Sequence, residues 1–135
     1  MVGLDPVLRQ ESASKRVQSM EPFFQALLHP LFTTQASILL LRVCALPKLN
    51  FTCRTLPSKL TLPACAAFDE NVLGAAMTAL RLNKNSLPAE ALSLLTLPLC
   101  HGGFGLRSMV AIELRSALAE AKAPPLRASG ARVRR

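Results

Sequence analysis

The stretch Leu97–Ser108, LPLCHGGFGLRS, gathers three of the chain's six glycines immediately ahead of a helical pattern. A glycine-rich turn feeding a helix N-terminus is a way to hold phosphate, because unpaired backbone N–H groups and the helix dipole both favour an anion there. The dinucleotide-binding spacing G-x-G-x-x-G is incomplete here, since Gly103 and Gly105 are followed by Ser108 at the third glycine position. The strand that must precede such a motif would contain Pro98, which has no N–H to give a central ladder. No Gly-Lys-Ser/Thr triplet occurs either. The stretch therefore reads as a close-packed turn. Gly102, Gly103 and Gly105 permit unusual backbone angles or close approach, Phe104 and Leu106 enter the core, and Ser108 starts the last helix.

Other residues with chemical potential are sparse. Two-metal sites need carboxylates close together, yet the chain has two aspartates, Asp5 and Asp69, and Asp69-Glu70 is its sole adjacent acidic pair. Cys44, Cys53, Cys65 and Cys100 follow no zinc-ligand spacing, and the only histidines are His29 and His101. Cys100 and His101 are sequence neighbours, which on an extended backbone point to opposite faces, so a thiolate–imidazole pair is not expected. No catalytic residue, metal or cofactor is predicted. Cys44 and Cys65 lie in helical apolar patterns where buried free thiols are common. With no signal peptide ahead of them, reduced cysteines and an intracellular location are expected, the cytoplasm and nucleus being indistinguishable.

These residues must be carried by helices. The 135-residue chain is 50% hydrophobic, and its apolar residues are mostly leucine and alanine, with six Phe and no Trp or Tyr. Helix formers thus outnumber strand formers, and the expected class is all-α: a small bundle of about five helices. Net charge is +8, unevenly placed. Residues 76–135 carry nine bases against three acids, and from Lys122 onward there are five bases and no acid. Such a tail attracts nucleic-acid phosphates or an anionic membrane surface, or is simply solvated. The longest apolar run, Ile38 to Leu46, is broken by Arg42 and falls short of the ~20 residues of a membrane span, so none is expected.

Along the chain, Met1 to Lys15 lacks sustained periodicity and is read as a loose lead-in. Val17, Met20, Phe23, Phe24, Leu27 and Leu28 recur at helical steps, with Pro22 tolerable in a first turn. Pro30 ends that helix. Thr33 or Thr34 caps the next, which runs from Ala36 toward Pro47, is apolar on nearly every side, and should be central. Pro47 to Pro57 is either extended or a short helical turn. Leu62 to Leu82 reads as a long helix with Phe68, Val72, Leu73, Ala76, Met77 and Leu80 on its apolar side, and Glu70, Gly74, Thr78 and Arg81 opposite. Asn83 to Ser86 is a connector, Pro88 opens a helix to about Thr96, and Met109 to Leu118 belong to the last helix, which Pro124-Pro125 stops. The organisation is thus a lead-in over 1–16, a helical domain over 17–121 and a basic disordered tail over 122–135.

Arg42 sits inside an apolar helix, where a charge must snorkel or meet an acid or helix-end carbonyls; Asp69 and Glu70 are the candidate acids, and this structural role is preferred to phosphate contact. Lys48 and Arg54 flank Asn50 in the proline-bounded segment, where they either set the fold or reach a nucleic-acid backbone together.

Taken together, LLLRVCALPKLNFTCRTLP (Leu39 to Pro57), Phe68-Asp69 on a helix, and LTLPLCHGGFGLRS (Leu95 to Ser108) resemble the segment downstream of the polymerase palm in reverse transcriptase-like proteins of non-LTR retrotransposons. The resemblance spans about Val17 to Ala117. It implies a helical thumb of an RNA-directed DNA polymerase, which grips the primer–template duplex, and by match of motif positions it points to Lys48, Asn50, Arg54 and Arg107 as contacts to the nucleic-acid backbone. The magnesium-binding aspartates of that family belong to the palm, and this chain has no Asp-Asp pair, so a non-catalytic unit is expected. The implied partners are an RNA or DNA duplex held through its phosphates, a reverse transcriptase palm, or a second copy of the chain. The alternatives are a structural or protein-interaction remnant that once packed on a palm, or a translated fragment without selected function.

Overall fold

Leucine- and alanine-rich stripes at three- and four-residue spacing fold here into helices alone; the computed structural model describes residues 5–122, save the side chain of Lys84. Helix α1 spans Pro6–Gln18, α2 Glu21–Leu27, α3 Thr34–Leu40, α4 Leu46–Thr55, α5 Ser58–Ala79, α6 Ala89–Thr96 and α7 Met109–Lys122. Single 3₁₀ turns at Lys84–Ser86 and Leu99–His101 flank α6. The expected small all-α bundle is what these residues form. The basic tail beyond Lys122 lies outside the described residues.

At the centre is α5, which touches α1, α2, α3, α4 and α7. Its Phe68 is fully buried, and Cys65 and Ala76 are equally closed off from solvent. The Phe24 ring packs 6.1 Å from that of Phe68, tying α2 to this centre. Glu70, Gly74 and Thr78 face solvent as their spacing predicts. The helix begins four residues earlier than expected, at Ser58 rather than Leu62, with Pro63 inside it. Pro63 is exposed, so the carbonyl that it cannot pair is left on the wet side of the helix. The far end closes with the Arg81 N–H on the Thr78 carbonyl at 3.0 Å and the Leu82 N–H on the Met77 carbonyl at 2.9 Å. This paired closure needs a left-handed residue, and Arg81 supplies it at φ +56°.

Residues 6–16, read from sequence as part of a loose lead-in, belong to helix α1 instead. Its buried stripe is narrow, Ala13 and Val17 with Met20 beyond, which is too little periodicity to see without the partner helix. What holds it is tertiary: the Arg16 guanidinium donates to the Thr52 hydroxyl at 3.3 Å and lies 5.9 Å from the centre of the Phe51 ring. Val17 and Met20 therefore belong to α1 and its exit, and the second helix starts at Glu21 with Pro22 in its first turn.

Thr33 caps α3, its hydroxyl accepting from the Ala36 N–H at 3.3 Å. Pro47 does not end the helix that follows. Leu41–Ala45 widen into a π-turn, and α4 continues through Pro47 to Thr55, so the undecided segment 47–57 is helical up to Thr55. A proline ring normally collides with the carbonyl four residues back and leaves it unpaired; one turn of wider winding relieves both problems. The helix from Thr34 to Thr55 is thereby 22 residues long with a mean hydropathy of 1.3 in its most apolar window, long and apolar enough to cross a membrane, whereas the run bounded by Pro47 was not. It is also less central than expected. Ile38, Leu41, Ala45, Leu49 and Thr52 are buried, while Leu39 and Val43 are about half exposed.

The left-handed Arg81 yields the first prediction. A side chain at positive φ costs about 1 kcal/mol relative to glycine. Arg81→Gly should raise the free energy of unfolding by about that much, read from the urea midpoint at unchanged helical circular dichroism.

Candidate functional site

The glycine turn and α7 are positioned by a single carboxylate. Asp69, in the middle of α5, accepts from the Met109 N–H at 2.8 Å, the Val110 N–H at 3.1 Å and the Ser108 hydroxyl at 2.6 Å. Ser108 in turn accepts from the Ala111 N–H at 3.2 Å. The donors at the start of α7 are therefore spent on the chain's own acid. An anion has no place there, which is the structural reason that this glycine turn is not a phosphate cradle. Asp69 does not serve its own helix's dipole and does not pair with Arg42, as its position in sequence had suggested; it is turned toward α7.

The turn itself folds back on the end of α6. Phe104, Leu106 and Gly105 donate their N–H groups to the carbonyls of Leu94, Leu95 and Leu97 at 3.1, 3.0 and 2.8 Å. Gly103 lies so close to Leu97 that a Cβ would overlap its carbonyl, and Gly105 adopts φ +73°. Leu106 is buried as expected. Phe104 is not: it remains 37% exposed, because the left-handed Gly105 between the two residues breaks the extended course that would put 104 and 106 on one face.

Beside this turn is a cleft of about 530 Å³ between α4 and the start of α7, with Arg42, Asn50 and Arg107 supplying its polar groups and Leu46, Pro47 and Leu99 much of its apolar wall. Two of the residues singled out in the sequence, Asn50 and Arg107, thus meet across it. Lys48 and Arg54 do not join them. With 47–55 helical, Lys48 is turned well away from Asn50 and its ammonium sits 5.3 Å from the centre of the Phe23 ring. Arg54 is exposed one turn beyond Asn50 and outside the cleft wall. Of Lys48, Asn50 and Arg54, only Asn50 therefore lines the cleft.

Arg42 was the missing member. A Cβ on Gly105 would come within 3.2 Å of the Arg42 Cδ, so glycine at 105 leaves the room in which the arginine stem lies. Neither Asp69 nor Glu70 pairs with it. Among the described residues the one ion pair is Lys15–Glu11, which leaves both cleft guanidiniums without a carboxylate. Nothing in the local sequence around Arg42 announces this; it follows from α4 packing on α7. Cys100 lines the cleft and His101 does not; the two stand on a 3₁₀ turn, not on the extended backbone expected for them. No group of three or more His, Cys, Asp or Glu is placed to hold a metal among the described residues.

Compared with family models, curated proteins and solved structures, the chain matches none.

Removing the Asp69 side chain strands three donors at the head of α7. Asp69→Ala should destabilise the fold by about 1–3 kcal/mol in urea unfolding, with Asp69→Asn milder and Ser108→Ala near 1 kcal/mol.

Proposed function

We propose that the chain is a non-catalytic helical unit, resembling the thumb of a non-LTR retrotransposon reverse transcriptase, that holds the phosphate backbone of a nucleic-acid duplex in the cleft between α4 and α7. The supporting observation is the convergence of Arg42, Arg107 and Asn50 on one open cleft with no acid among them. A guanidinium presents a planar fork of donors that matches two phosphate oxygens, and an amide adds a neutral donor. The apolar wall limits water around these groups, which strengthens their pull on an anion. None of the three reads a base in this reading, so binding is independent of sequence and sensitive to salt.

The test is fluorescence anisotropy of labelled RNA–DNA and DNA duplexes between about 50 and 200 mM salt, where affinity should fall by an order of magnitude or more if several phosphates are neutralised. Arg107→Ala and Arg42→Ala should each weaken binding and lower the salt slope by about one. Absence of binding at low salt overturns the proposal. So does affinity that vanishes when residues 122–135 are removed, since the folded body would then not be the binder.

A second reading, a structural unit that packs on a neighbour or on itself, is favoured by the exposed apolar side chains. Leu39 and Val43 stand one turn apart on the continuous helix at 51% and 56% exposure, and Leu31 is 85% exposed. Sedimentation over a range of concentrations should then show association; a monomer throughout counts against it.

A further inference from the structure

The interface of α4, α5 and α7 contains a polar cluster that plays no part in the cleft. Glu113 of α7 is 2% exposed and accepts from the Thr61 hydroxyl of α5 at 2.6 Å. Beside it, Cys53 on the last turns of α4 and Cys65 on α5 bring their Sγ atoms to 3.3 Å, sharing one S–H. Both are free thiols. They differ in access: Cys65 is completely buried, whereas Cys53 is half-buried and forms the outer side of the pair.

We propose that Cys53 and Cys65 are an oxidisable dithiol which a hydroperoxide, hydrogen peroxide or an organic one, converts to an intrachain disulfide between α4 and α5. Adjacent, hydrogen-bonded sulfurs need little motion to bond, and only the outer one, Cys53, reaches the surface where an oxidant meets it. The bond to Cys65, burial and the nearby Glu113 push the Cys53 thiol up, so it enters the reaction protonated.

As the Cys53 sulfur attacks one peroxide oxygen, the O–O bond breaks and the thiol proton passes to the departing oxygen, which leaves as an alcohol or water. Cys53 becomes a sulfenic acid, with Cys65 beside it on the buried side of the pair. The Cys65 sulfur displaces the hydroxyl, which leaves as water with the Cys65 proton, and the S–S bond forms. Overall two thiols are oxidised by two electrons and one hydroperoxide is reduced to an alcohol, or water, plus a second water. The new bond joins α4 to α5 across the turn at Pro57.

The test uses the full chain with Cys44→Ser and Cys100→Ser, treated with one equivalent of hydrogen peroxide. The expected result is a monomer lighter by two hydrogens, restored by dithiothreitol, whose non-reducing digest links the Cys53 and Cys65 peptides. Formation should be at least about ten times faster in the native protein than in denaturing urea, because the fold holds the sulfurs together. Cys65→Ala in the same background should instead stop at an oxygen adduct on Cys53. Equal rates in native and unfolded chain, disulfide-linked dimers, or oxygen adducts in place of the intrachain link each overturn the proposal.

Discussion

Asp69 is the constraint on which the geometry of this molecule turns. A carboxylate at the middle of the central helix supplies what the head of α7 lacks, and so fixes where the last helix begins and how it lies along α5. A helix N-terminus with several unpaired N–H groups is costly to cover without such a partner. With it in place, the glycine turn has one route, back across the end of α6 through three backbone hydrogen bonds, and Arg107 is delivered to the mouth of the cleft. Glu113 and Thr61 repeat the device further along the same pair of helices, inside the packed interface.

This use of acids shapes the electrostatics. The chain has eight acidic residues against sixteen basic ones, and two of the acids are committed to hydrogen bonds between α5 and α7. Arg42 and Arg107 consequently line the cleft between α4 and α7 without a counter-charge from the described residues, and the proposed phosphate contact rests on that imbalance. The helix that carries Arg42 owes its course to the π-turn at Leu41–Ala45. Had Pro47 ended that helix, Asn50 would not sit on its continuation opposite the glycine turn.

Much of the architecture is legible in the chain. Leucine and alanine at three- and four-residue steps mark the helices, Thr33 marks a cap, and the alternation of Phe68 and Val72 with Glu70 and Gly74 marks the two faces of α5. The misread places share a cause. α1 has too narrow an apolar stripe to declare itself, and only its packing on α5, with Thr52 and Phe51 of α4 holding Arg16, explains why it stays. Pro47 and Pro63 are helix breakers by local rule, and each is tolerated through something local rules do not contain, a widened turn in one case and a solvent-facing carbonyl in the other. Of the four residues that the resemblance singled out, Asn50 and Arg107 line the cleft, while Lys48 and Arg54 stand outside it once residues 47–55 are helical; Arg42 was read chiefly as a charge in need of an acid.

The sequence alone determined that this chain is helical, where α3, α6 and α7 begin, and that the glycine stretch is a turn lacking the spacing of a phosphate-binding loop, because these follow from side-chain periodicity, caps and the shape of glycine and proline. Tertiary structure alone decided which groups meet. Asp69 to the head of α7, Arg42 beside Gly105, and Cys53 against Cys65 are encounters between segments far apart in the chain or across a turn, set by the crossing of α4, α5 and α7, and no local preference of the residues involved encodes them.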